Sequence, residues 1–404
     1  MSSQVASAIA EPAAAGMTPR AASVARLSLT DFRGYARLRL DLDPAPVVLT
    51  GPNGAGKTNL LEAVSFLAPG RGLRRARLAE LDRRAAPGSD DRGADAASPW
   101  AVSALVETAH GRVHIGTGRD SGEGDKLSER RVVRIDGHPA RGQKDLAEHV
   151  AVVWLTPELD RLFLDGSSAR RRFVDRVVYG FQPGHAGEVS AYETVMRERA
   201  RLLTEGGADA AWLDALEDGM ARHGVAIAAA RAEVVRRLDA AAGSRPGPFP
   251  AARLALAGDI DTALGQAPAV AVEDAARAAL KAARGHDAVH GGAAWGPHRT
   301  DLLVRYAAKD CPARDCSTGE QKALLLSITL AVARELAAER GEAPLLLLDE
   351  VVAHLDGARR AALFDEISAL GAQAWLTGTD DELFQGLRGR AAFFRVLDAT
   401  VMPR

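Results

Sequence analysis

The chain has 404 residues, 47% hydrophobic and 26% charged, the balance of a soluble globular protein long enough for two or three domains. A formal net charge of -2 excludes attraction to nucleic acid by bulk charge, so any such contact has to come from local basic patches. Two cysteines, Cys311 and Cys316, exclude a disulfide scaffold, no C-x-x-C pair offers zinc a site, and a reducing cytoplasm is the expected location.

Residues 1 to 22 are rich in Ala, Ser and Pro, lack the charged-then-apolar plan of a signal sequence, and read as a disordered tail. Residues 25 to 29 and 37 to 42 alternate apolar and polar as half-buried antiparallel strands do, and Pro46-Val47-Val48-Leu49-Thr50 reads as a central strand. It runs into Gly51-Pro52-Asn53-Gly54-Ala55-Gly56-Lys57-Thr58, which meets the phosphate-loop pattern G-x-x-x-x-G-K-[ST] at every fixed position and opens a helix. Glycines let the backbone N–H groups turn inward and the helix N-terminus adds partial positive charge, so the segment cradles the phosphates of a nucleotide. Gly51, Asn53, Gly54, Gly56 and Asn59 are expected against the nucleotide, Lys57 at its β- and γ-phosphates, and the Thr58 hydroxyl on Mg²⁺.

Arg71 to Arg77 form a basic cluster, either a solvated helix face or a nucleic-acid contact. Residues 85 to 98 read as an exposed loop, and strands are expected at 100–107, 112–115 and 131–135, the last turning at Asp136-Gly137. A further strand spans 149–155. From about 159 to 242 the apolar period becomes helical, Arg170-Arg171-Arg172 opening the zone, with a break at 243–248 and one more helix at 272–283. Residues 161–290 are therefore expected as a mostly helical lobe inserted between two parts of one nucleotide domain, 23–160 and 291–404. The run Ala323 to Ala333 falls short of the roughly 18 to 20 residues of a membrane span and reads as a buried helix.

Leu345-Leu346-Leu347-Leu348-Asp349-Glu350 is a Walker B arrangement, an apolar strand delivering carboxylates to its C-terminal edge. Asp349 is expected at Mg²⁺ and Glu350 as the base that orients the attacking water. Ser317 and Glu320 have capping-box spacing, yet a capped helix start is also an anion site. Cys316-Ser317-Thr318-Gly319-Glu320-Gln321 resembles the signature motif of ABC-type ATPases, and Val351 to Asp356 resembles their D-loop. That resemblance implies that Ser317, Gly319, Gln321 and Asp356 approach a nucleotide held by a second subunit.

No membrane segment suggests a transporter, and the insertion is too short for the coiled-coil arm of an SMC protein. Over 23 to 400 the chain resembles the RecF family of recombinational-repair ATPases. The matching stretches are Asp31-Phe32-Arg33-Gly34-Tyr35, the phosphate loop through Ala63, Gly70-Arg71-Gly72-Leu73-Arg74, Arg170 to Asp175, and Gly296-Pro297-His298-Arg299. The resemblance implies an α/β ABC-type ATPase head, a P-loop mixed sheet with an antiparallel β wing, carrying a short helical arm. It further implies a weak ATPase that dimerises on ATP, binds double-stranded DNA at single-strand/double-strand junctions, and works with RecR and RecO to load RecA. Departures are His354 where the family has Glu, Thr300 where an acidic residue is common, and Thr379 in place of the switch His of transporters. Arg71 to Arg77, Arg170 to Arg172, Arg130, Arg131 and Arg134 are candidate DNA-backbone contacts. An SMC-like ATPase bridging protein partners and a transporter subunit remain as alternative readings.

Overall fold

A computed structural model describes residues 20–83, 99–120, 130–206, 209–243 and 247–404. Most of the expected tail, the loop at 85–98 and the centre of the break at 243–248 lie outside the described residues.

The strands Val47–Thr50 and Leu345–Leu348 have no polar position before their ends, and this dictates where they sit. They lie inside a six-stranded sheet, every one of their residues buried. From one edge the order is Thr400–Pro403, Ala392–Leu397, Val47–Thr50, Ala374–Gly378, Leu345–Leu348 and Val152–Leu155. All neighbours run parallel except the terminal hairpin. Alternate side chains serve two cores. Val48, Leu346, Leu348 and Leu376 face a core shared with the helices Ser167–Phe181, Ala210–Gly243 and Thr318–Arg340. Val47, Leu49, Leu347 and Trp375 face the other, with Leu60, Leu61 and Val64 of the phosphate-loop helix Lys57–Ser65.

The second core is closed by the antiparallel wing, a six-stranded sheet ordered Tyr35–Asp41, Ser23–Phe32, Ala101–Thr108, Gly111–Arg119, Arg131–Ile135 and His138–Pro139. The turn expected after Ile135 is present, with Asp136 at φ 49° and Gly137 at φ 81°. Mixed parallel and antiparallel sheets with packed helices make this the α/β head-and-wing fold that the motifs imply.

The helical stretch begins with Ser167–Phe181, His185–Glu205 and Ala210–Gly243, and the helix expected at 272–283 is Ala269–Ala282. Its smaller cores gather Tyr192, Met220, Ile227 and Leu280 in one place and Val225, Ala228, Ile260 and Val272 in another. Arg199, 1% exposed, joins its helices by donating to Glu217 at 2.9 Å, Asp287 at 2.8 Å and the Leu280 carbonyl at 2.7 Å.

Three local expectations need correction. Arg71 to Arg77 are an irregular segment, with Arg75 in the left-handed region at φ 54°, followed by the short 3-10 turn Leu78–Leu81. The strand expected from His149 begins at Val152, because Leu146–His149 makes a helical turn first. Ala252–Ala257, unrecognised within the helical stretch, is a strand pairing antiparallel with Asp301–Tyr306.

Candidate nucleotide-binding site

The phosphate loop is held by its backbone before any ligand arrives. Gly51 N–H donates to the Gly378 carbonyl at 3.3 Å, Ala399 N–H to the Ala55 carbonyl at 3.0 Å, and the Tyr35 hydroxyl to the Gly56 carbonyl at 3.1 Å. Two glycines are required by these contacts. At Gly51, φ 150°, a Cβ would stand 2.1 Å from the Val396 carbonyl oxygen; at Gly56, φ 110°, it would stand 2.7 Å from the Tyr35 hydroxyl. Gly56 precedes the helix without a side-chain cap, which leaves the first turn open to an anion. Asn53 and Gly54 are exposed on the lip, and nothing lies within 4 Å of where a Gly54 Cβ would be.

Lys57 folds back inside the loop, its ammonium donating to the Gly51 carbonyl at 2.7 Å and the Pro52 carbonyl at 2.8 Å. Burial holds it below the usual lysine range, while Glu350 and Asp349 pull it back up and Arg395, on the neighbouring strand, pushes it down. Thr58 Oγ1 donates to Asp349 Oδ1 at 3.0 Å, so the loop and the Walker B strand meet at this pair. Thr377 Oγ1 donates to the same oxygen at 2.7 Å and accepts from Glu350 N–H at 2.9 Å. Glu350 stands at φ 55°, a conformation costly for a side-chain-bearing residue and typical of functional sites. A cavity of about 20 Å³, room for one water, is lined by Asp160, Lys322, Asp349, Glu350 and His354 among others.

One hydroxyl and one carboxylate side by side suit a hard divalent cation that arrives with phosphate and water ligands. Among the described residues there is no cluster of three or more His, Cys, Asp or Glu that could cage an ion unaided.

Ser317 begins the helix Thr318–Arg340. Its hydroxyl accepts from Glu320 N–H at 3.4 Å, its own N–H donates to Glu320 Oε2 at 3.0 Å, and Lys309 pairs with the other Glu320 oxygen. With Lys309 as the first cause and the Ser317 N–H next, the Glu320 carboxyl is held at about 2. Gln321 turns its amide back onto the carbonyls of Cys316 at 3.0 Å and Arg314 at 3.2 Å. Ser317 and Gly319 are exposed, and a Cβ on Gly319 would meet open space. This helix packs on Val152–Leu155, the edge strand, with two strands between it and Val47–Thr50. Three inter-strand steps amount to about 14 Å. Among the described residues no hydrogen bond joins Ser317 or Gly319 to the phosphate loop of the same chain. Asp356, also exposed, caps the helix Gly357–Leu370 by accepting from Arg359 N–H at 2.8 Å.

The family described as RecF/RecN/SMC N terminal domain matches residues 23–397. The chain belongs to it. Within that family it is 49% identical over 387 residues to the DNA replication and repair protein RecF of Mesorhizobium japonicum, covering 95% of this chain and 99% of that one. It is also 49% identical over 376 residues to the protein of the same name from Agrobacterium fabrum, covering 93% and 96%. In fold it is similar to a recombination mediator protein RecF solved with ATPrS, at TM-score 0.81 and 20% identity over 96% of this chain and 99% of that one. It is a RecF-family chain, with the ATPase-head fold of that family.

Within the RecF-family frame, residues outside the nucleotide motifs gain structural roles. Glu62 on the phosphate-loop helix is fully buried and is bonded by Arg33 through two nitrogens, at 2.9 Å each, and by Arg74 at 3.5 Å. Arg74 also donates to Asn59 Oδ1 at 2.9 Å, so Asn59 braces the 71–77 segment. Not all candidate DNA-contact arginines are available. Arg170 is bidentate to Asp301, at 2.7 and 2.9 Å, and Arg171 donates to Ser167 and the Thr300 carbonyl. Arg131 is buried among carbonyls of the 66–70 turn, and burial pushes it down to about 9. Arg71, Arg75, Arg134 and Arg172 are exposed. Thr377 and Arg395 belong to none of the sequence motifs; the hydroxyl of Thr377 near the C-terminal end of Ala374–Gly378 is the signal the sequence offers for it.

Proposed function

We propose that this RecF-family chain is an ATP-dependent DNA-binding protein of replication and recombinational repair, whose switch is a nucleotide sandwiched between two copies. ATP sits on Gly51 to Thr58 of one copy, with its phosphates on the loop N–H groups and Lys57. Thr58 and Asp349 would hold Mg²⁺, which supplies positive charge against the phosphates when bound. Glu350 orients the attacking water and accepts its proton, and Thr377 fixes the backbone from which it projects. Ser317 and Gly319 of the mate cover the phosphates, Gln321 braces the segment before them through the Cys316 and Arg314 carbonyls, and Asp356 lies at the seam. The observation that carries the reading is the separation within one chain: a formed phosphate loop at mid-sheet, and an exposed capped helix start above the sheet edge. ADP lacks the phosphate that the mate touches, so the two nucleotides differ in how strongly they favour the closed dimer, as a switch requires.

The closed dimer grips double-stranded DNA at single-strand/double-strand junctions, and RecR, RecO and RecA are the partners that the family resemblance supplies. Residues 23–160 and 291–404 act as one head, 161–290 as its short arm, and slow hydrolysis resets the clamp. Among the described residues no helix is long and apolar enough to cross a membrane.

The test is the mass of the Glu350→Gln protein in solution. It should be monomeric with ADP, dimeric with ATP, and retained on gapped duplex as the dimer, with turnover reduced about 100-fold or more. A Glu350→Gln protein that stays monomeric with saturating ATP, with and without gapped duplex, sinks the sandwich.

A further inference from the structure

The residue before the capping serine is one of the chain's two cysteines, and the other lies beside it in space. Cys316 Sγ is 3.7 Å from Cys311 Sγ, both thiols are free and half-buried, and both sulfurs lie near the Pro312 carbonyl, at 3.6 and 3.4 Å. Cys311 is fixed by strand pairing opposite Tyr306. Cys316 ends the 3-10 turn Ala313–Asp315 and leads directly into the Ser317 cap.

We propose that Cys311 and Cys316 are a redox-active dithiol that peroxide closes into an intramolecular disulfide, altering the start of the helix that covers the partner's nucleotide. A disulfide needs sulfurs about 2 Å apart, so the pair closes by roughly 1.7 Å, a shift for side-chain rotation and small backbone adjustment. Cys311 is held by its strand, so the adjustment falls on Cys316. The Cys316 carbonyl accepts from Gln321, and Ser317 next to it is tied to Glu320, so movement there reaches the first turn of the helix. Disulfides formed in reducing compartments are characteristically transient and redox-sensing.

The chemistry balances with hydrogen peroxide as the oxidant. Burial and the neighbouring Cys311 thiol push the Cys316 thiol up to about 11, and the balance is the same whichever of the two sulfurs meets peroxide first. With Cys311 first, its thiolate attacks one peroxide oxygen, the O–O bond breaks, and the hydroxide released takes up a proton as water, leaving a sulfenic acid. Cys316 then gives up its proton and attacks the Cys311 sulfur; the S–S bond forms, the S–O bond breaks and a second water leaves. Two thiols and one peroxide give one disulfide and two waters.

The effect on dimerisation rests on the nucleotide-sandwich reading; the disulfide itself does not. The experiment treats the full-length protein with hydrogen peroxide, blocks remaining thiols with an alkylating agent, and measures intact mass and the linked peptide. Expected are a mass lower by two hydrogens, no alkylation, and reversal by dithiothreitol; Cys311→Ser should give no disulfide within the chain. Two alkylated thiols after peroxide, or higher oxides of one sulfur with no linked peptide, overturn the dithiol. In the Glu350→Gln background, oxidation should weaken ATP-dependent dimerisation about fivefold, the scale of a disturbed helix cap, and Cys311→Ser should be insensitive to peroxide. Equal dimerisation of the oxidised and reduced forms overturns the coupling. If the reduced protein also fails to dimerise, the sandwich reading falls while the mass measurement still decides the dithiol.

Discussion

Thr377 is a single hydroxyl that touches both residues of the proposed hydrolytic pair, donating to the Asp349 side chain and accepting from the Glu350 backbone. Thr377→Val keeps the shape and removes both bonds, leaving the Glu350 N–H without its partner and Asp349 Oδ1 with only Thr58. The loss of such bonds is worth about 1–3 kcal/mol, which is roughly 5- to 150-fold in rate if it falls on the transition state. The expected outcome is a lower kcat and a raised Mg²⁺ requirement with nucleotide affinity nearly intact, and Thr377→Ser should restore both. Wild-type turnover and Mg²⁺ dependence in Thr377→Val would remove Thr377 from the site. At the loop itself, Gly51→Ala should abolish ATP binding, measured by calorimetry, since the added methyl meets the Val396 carbonyl oxygen at 2.1 Å. A Gly51→Ala protein that binds ATP with wild-type affinity would mean that the loop shifts to admit the methyl.

At the scale of elements, two helices of the 161–290 stretch are joined by a buried ion pair. Asp175, on Ser167–Phe181, accepts from Arg231 of Ala210–Gly243 through two bonds of 2.7 and 2.8 Å and from His185 at 2.9 Å, and Arg231 also donates to the Pro297 carbonyl. Burial raises the Asp175 carboxyl, but the bonds from His185 and Arg231 outweigh it and hold it below the usual carboxylate range. A depressed folded pKa means stability fully present above the unfolded value, about 3.9, and lost as pH falls through the folded one. Asp175→Asn should therefore cost about 3–5 kcal/mol at pH 7, because Arg231 is left buried beside a neutral group, and the deficit should shrink below about pH 4. Denaturant unfolding at pH 7 and near pH 3 checks this, and an equal deficit at both pH values would contradict it. The same elements show what a reader of the sequence can and cannot obtain. Uniformly apolar strands such as Leu345–Leu348 announce themselves, because only a sheet covered on both faces accepts them. Ala252–Ala257 does not, since alanine signals neither period and its partner, Asp301–Tyr306, is remote in the chain. Consecutive arginines look alike in sequence, yet successive helix positions point in different directions, and so Arg170 and Arg171 turn inward to Asp301 and Thr300 while Arg172 stays outside. Motif spacing singles out Lys57, Thr58 and Asp349 as candidates, and the fold brings Thr58 and Asp349 together; Thr377 depends on a side-chain contact that no spacing encodes.

At the scale of the whole molecule, a chain with net charge -2 that binds DNA has to concentrate its positive charge. Arg71 and Arg75 on the segment after the phosphate-loop helix and Arg172 and Arg176 on Ser167–Phe181 form such a concentration. Arg75 is held below the usual arginine range by partial desolvation first and then by Arg172 and Arg71, with Tyr179 and Glu193 opposing, and Arg176 is pushed down to about 10 by burial and by Arg75. Arg176 stacks over the Trp154 and Phe173 rings, at 4.6 and 5.3 Å. Among the described residues none of the four has an ion pair with a carboxylate. Like charges held together are relieved by a phosphate backbone, and Arg74, bonded to Asn59 and Glu62, ties their segment to the helix that opens at Lys57. Reversing two of the three exposed members, Arg75→Glu with Arg172→Glu, should weaken duplex binding and make the plot of log K against log salt shallower by about 2, near one unit per lost phosphate contact. ATP-dependent dimerisation without DNA should be unchanged, which separates loss of the grip from loss of the switch. An unaltered salt slope in the double variant would place the duplex on a different surface of the dimer.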